Sequence, residues 1–343
     1  MASKKHQITR RGFLKRSAGL GLAAAGPLIV PARVFGANDR IGVGYIGFGR
    51  RARQLINIPQ DAQAVACSDA DQRQMDAFTS SRFGKDAKQY LDYRELLQDA
   101  NVDAIITATP DHWHALVSVH ACEAGKDVYV EKPMTLTIRE GRLMVEAARK
   151  HGRIVQVGSQ QRSMKECRIG CELIRNGRIG NIHTVHTDNY PSPWECDLPE
   201  QPMPEGLDWD RWMGPTEPRP YHIDLYLPRA DNRKDALGRQ LGWISYRPWS
   251  GGEMTGWGAH GLDIIQWALG MDESGPVEAW PELDGWEGPG NWPEGRALTC
   301  PVTMRYENGI LVKLDAKGPG GGGVFEGDEG TILVDRGKYT VTS

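Results

Sequence analysis

This 343-residue sequence lacks any recognisable cysteine motif. Its six cysteines form no C-x-x-C pair, and no His/Cys cluster has the spacing of a zinc site. Cys67 lies in a predicted strand and Cys122 in a predicted helix, where both fit small buried apolar residues. The sequence therefore indicates neither a metal centre nor a disulfide framework.

Long hydrophobic runs and a strong net charge are also missing. The apolar stretch 18–30 is too short and too rich in Gly and Ala for a membrane span, which needs about 20 residues. The formal net charge is −3, and the first 37 residues contain seven Lys and Arg but no acidic residue, which leaves −10 for the remainder. An acidic body argues against nucleic acid or an anionic membrane surface as the main partner.

The N-terminus has the order of a twin-arginine signal peptide. Residues 9–15 read TRRGFLK, the apolar stretch follows, and small residues lead to Ala37. We expect a signal peptide over residues 1–37 and export of the folded protein to the periplasm or beyond, with no membrane contact for the mature chain. The alternative is a basic, disordered leader that happens to contain two adjacent arginines.

Strand and helix patterns alternate over residues 38–160. Thr137 and Glu140 form a capping box at the start of the last predicted helix. The predicted strands are 41–46, 63–68, 103–107, 127–130 and 153–157, and the predicted helices are 50–58, 72–83, 93–99, 112–124 and 138–151. This alternation predicts an α/β fold whose first domain is a Rossmann domain with a doubly wound parallel sheet.

Two glycine fingerprints overlap at the end of the first predicted strand. Gly42-Val-Gly44-Tyr-Ile-Gly47 and Gly47-Phe-Gly49-Arg-Arg-Ala52 both match, but only the second follows a complete strand and opens a predicted helix. In that match Gly47 makes the tight turn, Gly49 lets the backbone approach a pyrophosphate, and Ala52 keeps helix and strand close. The pyrophosphate would then lie at the helix N-terminus.

Asp69 supports a dinucleotide site, because it ends the second predicted strand 20 residues after Gly49. A carboxylate at this position bonds the adenosine ribose hydroxyls and repels a 2′-phosphate, which favours NAD. Arg50, Arg51 and Arg73 leave NADP open. A strand-end turn or a helix cap is the structural alternative for Asp69.

Residues 161–343 have a different pattern, which predicts an α/β domain with a large, mostly antiparallel open sheet. Ten of the eleven tryptophans lie beyond residue 190. Trp194, Trp243, Trp249 and Trp257 either line a carbohydrate cleft or are large core residues. The glycine-rich segment 318–323 is interpreted as a hairpin connection. The predicted helices are 164–176 and 259–269, and the predicted strands are 182–190, 297–306, 310–317 and 330–334.

Several motifs from about residue 40 to the C-terminus resemble the Gfo/Idh/MocA oxidoreductases, a family that includes glucose–fructose oxidoreductase and inositol dehydrogenases. The matching segments are YIGFG at 45–49, ATPDHWH at 108–114, AGKDVYVEKP at 124–133, VGSQQR at 157–162 and GGEMTGWGAH at 251–260. Among them the Glu-Lys-Pro segment is the most specific, and together they identify the chain as similar to this family.

The resemblance implies that Lys132 lies beside the nicotinamide ring and the reacting hydroxyl, with a cis bond to Pro133. Burial beside a positively charged nicotinamide would lower the pKa of this lysine from about 10.4 toward a range useful for proton transfer. The alternative from the sequence alone is a surface lysine that starts a turn.

Other motif residues are assigned to the cofactor by the same resemblance. Thr109, Pro110 and His114 match the segment that passes under the cofactor, and Gln160 matches a polar residue near the nicotinamide ribose. His112 and His114 form an H-x-H pair without a nearby carboxylate, which favours cofactor contact over a metal site. The complete predicted cofactor set is Gly47, Phe48, Gly49, Arg50, Asp69, Thr109, Pro110, His114, Glu131, Lys132 and Gln160.

The sequence departs from the family at one usual catalytic position. Members usually have D-x-x-x-H, and here His260 is present while Gly256 replaces the aspartate. Lys132 and His260 are therefore the predicted catalytic residues. The predicted substrate residues are Arg162, Trp257 and the candidate replacement acids Glu253 and Asp263. The chain also ends soon after its last predicted strand, where members usually continue, which raises the alternative of a truncated form.

These motifs predict NAD(P)-dependent oxidation of a sugar, polyol or glycoside. Lys132 removes the hydroxyl proton, His260 polarises or orients the hydroxyl, and hydride passes to the nicotinamide. The periplasm has no obvious soluble pool to reoxidise NADH, so we expect a bound cofactor that is recycled within one redox-neutral conversion. Alternatives are a conventional inositol-type dehydrogenase and a non-catalytic dinucleotide-binding scaffold. By analogy with the family alone, residues 161–343 are expected to bind the substrate and to form a homo-oligomer.

Overall fold

The computed structural model describes residues 40–195, 198–229, 233–234, 240–282 and 300–342. The predicted signal peptide, residues 1–37, lies outside the described residues, as does the beginning of the predicted strand 297–306. No helix within the described ranges is both long enough and apolar enough to cross a membrane.

The first half contains a six-stranded parallel sheet in the order β3-β2-β1-β4-β5-β6. Its strands are β1 (Ile41–Ile46), β2 (Ala62–Ser68), β3 (Lys88–Tyr90), β4 (Ala104–Thr107), β5 (Asp127–Glu131) and β6 (Val155–Gly158). Its helices are α1 (Gln72–Thr79), α2 (Tyr93–Gln98), α3 (Asp111–Glu123) and α4 (Ile138–His151). This is the predicted Rossmann architecture, with the short strand β3 as an addition.

Local capping determines where these helices begin and end. The Asp71 carboxylate accepts a hydrogen bond from the backbone N–H of Arg73 at the start of α1. The Asp92 carboxylate accepts one from the backbone N–H of Arg94 at the start of α2. The predicted capping box of Thr137 and Glu140 is present at α4, and Gly152 ends that helix with φ of 61°.

The predicted helix 50–58 is wrong: the glycine fingerprint leads into a single 3-10 turn, Ala52–Gln54. A helix that ended at residue 58 would leave the Leu55 carbonyl without a donor in the helix, and Pro59 has no N–H to supply one. The Tyr45 hydroxyl donates to the Leu55 oxygen instead, at 2.8 Å. A pyrophosphate at this loop therefore meets turn amides and arginine side chains, with no long helix behind them.

The second half contains a seven-stranded sheet in the order β13-β12-β11-β7-β10-β9-β8, in which the β7–β10 pair is parallel and the other pairs are antiparallel. Helices α5 (Lys165–Arg175) and α9 (Gly258–Ala268) pack against this sheet around a common apolar core. The strands are β7 (Ile182–Thr187), β8 (Glu278–Pro281), β9 (Val302–Arg305), β10 (Leu311–Leu314), β11 (Gly323–Gly327), β12 (Gly330–Asp335) and β13 (Lys338–Thr342).

The glycine-rich segment 318–323 is not the predicted hairpin connection. It joins β10 to β11, and these strands pair with opposite edges of β7, so the segment crosses the end of that strand. A Cβ at Gly318 would lie 2.1 Å from the His186 carbonyl oxygen, which explains the absence of a side chain there.

Between β7 and α9 the chain forms short helices around an aromatic core. These are α6 (Trp209–Met213), α7 (Ile223–Tyr226), the 3-10 turn Trp243–Ser245 and α8 (Glu253–Gly256). Trp194 and Trp249 are buried in this core, whereas Trp243 and Trp257 line a cavity. Two of the four singled-out tryptophans are thus core residues.

Candidate active site

A cavity of about 630 Å³ opens at the carboxyl ends of the parallel strands, the edge at which Rossmann sheets bind ligands. Loops after β1, β2, β4, β5 and β6 form one wall. The rest of the lining comes from residues 91–94, 211–212, 226–229, 243–244, 256–257 and 260 and from Arg336. Predicted site residues in its lining are Gly47, Gly49, Arg50, Asp69, Thr109, Pro110, His114, Glu131, Lys132, Gln160, Trp257 and His260.

The glycine loop fits the close approach of a dinucleotide backbone. Gly47 has φ of +79°, and a Cβ there would lie 2.8 Å from Thr109 Cγ2. A Cβ at Gly49 would meet no described atom within 4 Å, so this face of the loop is open to the cavity. Phe48, predicted as a cofactor residue, instead packs between Tyr45 and Phe78 and does not line the cavity.

Asp69 connects the glycine loop to the end of β2. Its carboxylate accepts the Phe48 N–H at 2.7 Å and the Asp71 N–H at 2.9 Å, and burial raises its pKa to about 6. The predicted ribose ligand therefore also fixes the turn on which a pyrophosphate would lie.

Asp71 was not predicted as a site residue, although it is fully buried beside Asp69. It accepts hydrogen bonds from the Arg73 guanidinium and, at 2.7 Å, from the Tyr226 hydroxyl. The Arg73 charge is thus paired with Asp71, leaving Arg50 as an exposed cation at the cofactor loop.

Lys132 lies at the end of β5 and has the expected cis bond to Pro133. Its Nζ donates to the Gly256 carbonyl oxygen at 3.3 Å. Burial lowers the pKa of this amine, and the negative charges of Asp111 and Glu131 partly oppose the effect. The Glu131 carboxylate also accepts the Arg51 guanidinium at 2.7 Å, which joins the glycine loop to the lysine segment.

The two histidines of the H-x-H pair bind different backbone carbonyls. His114 donates from Nδ1 to the Pro133 oxygen at 2.6 Å, and His112 donates from Nε2 to the Trp212 oxygen at 3.1 Å. Burial lowers the pKa of each to about 4. His114 therefore supports the backbone of the lysine segment as a neutral ring. Across the described residues, no group of three His, Cys, Asp or Glu side chains has metal-site geometry.

His260 lies in the first turn of α9 and is 9% exposed. Burial lowers its pKa to about 3, and the positive charges of Lys132 and Arg336 lower it further. It is consequently a neutral imidazole at physiological pH, able to donate or accept a hydrogen bond without adding charge.

The two candidate replacement acids occupy different places. Glu253 forms a bidentate ion pair with Arg229 at 2.7 and 2.8 Å, next to Gly256. Asp263 forms one with Arg162, which also contacts Asp272 at 2.8 Å. Neither Glu253 nor the Arg162–Asp263 pair lines the cavity. The negative charge of Glu253 nevertheless acts on Lys132 and raises the pKa of its amine.

Asp111 is an acid in the cavity wall that sequence reasoning missed. It begins α3, is 4% exposed, and accepts the Ser250 hydroxyl at 2.7 Å. Burial raises its pKa to about 7, while Lys132 and Ser250 oppose the shift. The ATPDHWH motif contains this residue, but its partner is 139 positions away. Also missed were the lining residues Arg211, Tyr226, Arg229 and Arg336, whereas Arg51, which also lines the cavity, is named in the sequence analysis only for the choice between NAD and NADP.

Comparisons with known proteins follow this division into two halves. A model of the "Oxidoreductase family, NAD-binding Rossmann fold" matches residues 41–159, and a model of the "Oxidoreductase family, C-terminal alpha/beta domain" matches residues 189–336. Inositol 2-dehydrogenase of Salmonella typhimurium is 31% identical over 168 residues, 49% of this chain and 48% of that protein. Inositol 2-dehydrogenase 1 of Saccharopolyspora erythraea is 33% identical over 204 residues, 57% of this chain and 59% of that protein. The matched stretches thus span about half the length of these curated relatives.

Solved structures show the same fold at low sequence identity. WlbA dehydrogenase from Bordetella pertussis, in complex with NADH and UDP-GlcNAcA, has a TM-score of 0.59 and 20% identity, covering 86% of this chain and 73% of that one. GenD2 from gentamicin A biosynthesis, in complex with NAD, has a TM-score of 0.55 and 18% identity, covering 94% of this chain and 75% of that one.

Proposed function

Because the chain belongs to the Gfo/Idh/MocA family of oxidoreductases, we propose that it oxidises a hydroxyl-bearing carbon of a sugar, polyol or glycoside with NAD. The main support is the position of Lys132, a partly buried amine that lines the cavity together with His260 and lies at the end of β5. When bound, the nicotinamide ring supplies the acceptor for the hydride from that carbon.

Lys132 acts as the general base in this proposal. Its lowered pKa makes the neutral amine available nearer to physiological pH, and the contact with Gly256 fixes the direction of Nζ. Neutral His260 hydrogen-bonds the same hydroxyl and orients it. Once Lys132 is protonated, the negative charges of Asp111 and Glu253 stabilise its ammonium group. These two acids thereby take over the role of the family aspartate, whose position is occupied here by Gly256.

We further propose that the cofactor stays bound through a redox-neutral conversion. Residues 206–208 contact the end of β2: Gln72 N–H donates to the Gly206 oxygen and Asp208 N–H to the Ala70 oxygen, both at 2.8 Å. Tyr226 contacts Asp71 and lines the cavity with Asp69. The adenosine end of a dinucleotide held by Asp69 would lie beside Tyr226, so we expect the hydrogen bond between Tyr226 and Asp71 to slow its release. The predicted export gives a functional reason for such retention, since soluble NAD is scarce outside the cytoplasm.

A conventional inositol-type dehydrogenase with exchangeable NAD is the second candidate, favoured by the inositol 2-dehydrogenases among the relatives. The non-catalytic scaffold is the third. We also propose that the protein is exported through the twin-arginine pathway and that it forms a homo-oligomer. The export proposal rests on the N-terminal sequence motif, and the oligomer rests on family analogy.

One experiment separates the three candidates. The protein is purified without added nucleotide, any bound nucleotide is released and identified, and the loaded protein is then mixed with myo-inositol and a panel of sugars. Bound NAD that is reduced once and then reoxidised, without net NADH, supports the resident cofactor. Continuous NADH production that requires added NAD favours the conventional dehydrogenase. A nucleotide that no polyol or sugar reduces overturns the enzymatic proposal.

A further inference from the structure

Arg336 occupies the two-residue turn between β12 and β13, and its side chain reaches the cavity wall. Its guanidinium carbon lies 5.1 Å from the centre of the Trp257 ring. Its Nη2 donates to the Gln160 side-chain oxygen at 2.7 Å. Nε is buried without an acceptor, and none of the described residues places a carboxylate within 4.0 Å of this guanidinium.

The charge of Arg336 is not balanced locally. The nearby acids are engaged elsewhere: Glu253 pairs with Arg229, Glu131 pairs with Arg51, and Asp111 accepts the Ser250 hydroxyl. Lys132 and Arg336 both lower the pKa of His260, so the positive charges of both side chains act on the imidazole at this end of the cavity. A partly buried guanidinium without an anion is unfavourable, and its planar donors match a carboxylate.

The dinucleotide pyrophosphate does not fill this role. It belongs at the glycine loop after β1, whereas Gln160 follows β6. Three inter-strand spacings separate β1 from β6 in the sheet order, roughly 14 Å at the usual spacing. Arg336 instead lies with Trp257 and His260, at the end of the cavity where the substrate would meet Lys132.

We propose that Arg336 binds a carboxylate of the substrate, so that the preferred substrate is an acidic sugar such as a hexuronic acid or its glycoside. Trp257 holds the planar guanidinium from one side, Gln160 fixes one of its nitrogens, and Nη1 has no acceptor among the described residues. The acid group would fix the orientation of the sugar ring relative to Lys132 and His260. This inference rests on the proposed function for the location of the substrate.

Binding measured without turnover tests the proposal. The NAD-loaded protein is titrated calorimetrically with D-glucuronate and D-galacturonate, and with D-glucose and D-galactose as matched neutral sugars. The uronates should bind at least about tenfold more tightly than the neutral sugars, because a charge-assisted hydrogen bond replaces a neutral one. Glucose 6-phosphate separates carboxylate from phosphate recognition, and tighter binding of the phosphate would overturn the assignment.

Variants locate the effect at Arg336. Arg336→Gln should weaken uronate binding by about ten- to hundredfold and neutral-sugar binding by less than about threefold, while Arg336→Lys should restore part of the loss. Arg168→Gln, at an exposed pair on α5, is the matched control and should change neither. Equal binding of acidic and neutral sugars to the unmodified protein, or an unchanged preference in Arg336→Gln, would refute the proposal. If the protein binds uronates through Arg336 but oxidises no sugar or polyol, the proposed function fails while the assignment of Arg336 as a carboxylate ligand stands.

Discussion

The amine of Lys132 lies 3.3 Å from the carbonyl oxygen of Gly256, a residue 124 positions later in the chain. The absence of a side chain at that glycine also has a structural reason. A Cβ at Gly256 would lie 2.9 Å from Glu253 Oε2, and this oxygen is held by Arg229. Glycine therefore leaves room for an acid that comes from the preceding turn.

Restoring the family aspartate at this position should be harmful. Gly256→Asp should displace the Glu253–Arg229 pair, lower the free energy of unfolding by about 1–3 kcal/mol and reduce turnover. In Gly256→Asp/Glu253→Ala the collision is removed, so the double variant should be more stable than the sum of the single effects predicts. Urea denaturation measures this coupling, with Gly275→Ala as a control at a position where a Cβ meets no described atom within 4 Å. Additive effects, within about 0.5 kcal/mol, would contradict the steric explanation.

Replacing Lys132 should separate catalysis from cofactor binding. Lys132→Ala should lower turnover by about a hundredfold to ten-thousandfold, the usual contribution of a general base, and leave the bound nucleotide in place. Lys165→Ala, at an exposed position that begins α5, is the control. Because burial lowers the pKa of Lys132, the rate of the unmodified protein should rise with pH through a midpoint below 10.5. Retained turnover in Lys132→Ala would remove this residue from the mechanism.

Asp111 should make stability depend on pH. Its pKa is raised from 3.8 to about 7 in the folded state, so between these values the folded protein binds more protons than the unfolded chain. Stability therefore falls as pH rises through this window, by an amount of a few kcal/mol at most. Asp111→Asn keeps an acceptor for Ser250 and removes the titration, so its stability relative to the unmodified protein should increase between pH 5 and pH 8. The same variant should be less active, because Lys132 loses a neighbouring negative charge. Equal stability differences at both pH values in denaturant titrations would exclude a raised pKa.

Tyr226 should control how long NAD stays bound. Tyr226→Phe removes the 2.7 Å hydrogen bond to Asp71 and should accelerate dissociation of the nucleotide about five- to tenfold. Tyr221→Phe, in the same aromatic core, leaves that hydrogen bond in place and serves as the control. Displacement of bound NADH by excess NAD, followed by fluorescence, measures the rate. An unchanged rate in Tyr226→Phe would show that this contact does not limit release.

Features encoded locally were predicted best. Helix α4 has both predicted ends because Thr137, Glu140 and Gly152 fix them within the helix itself. The predicted helix after the glycine fingerprint is reduced to a 3-10 turn, and the Leu55 carbonyl that follows it accepts the hydroxyl of Tyr45, ten positions earlier.

Pairings between distant residues were beyond the sequence. Nothing near Asp111 indicates Ser250, and nothing near the β12–β13 turn indicates that Arg336 reaches Gln160, 176 positions away. The same limitation applies to segment 318–323, because the position of a connection depends on which strand lies between its two ends.

The contacts at the end of β2 also affect how the protein is assembled. Asp71 pairs with Leu207 and Tyr226, which follow it by 136 and 155 positions. During synthesis residues 40–160 emerge from the ribosome before these partners, so the early fragment lacks the part of the groove lining that Tyr226 supplies. Completion of that groove depends on the later half of the chain, and nucleotide capture therefore reports that both halves have folded.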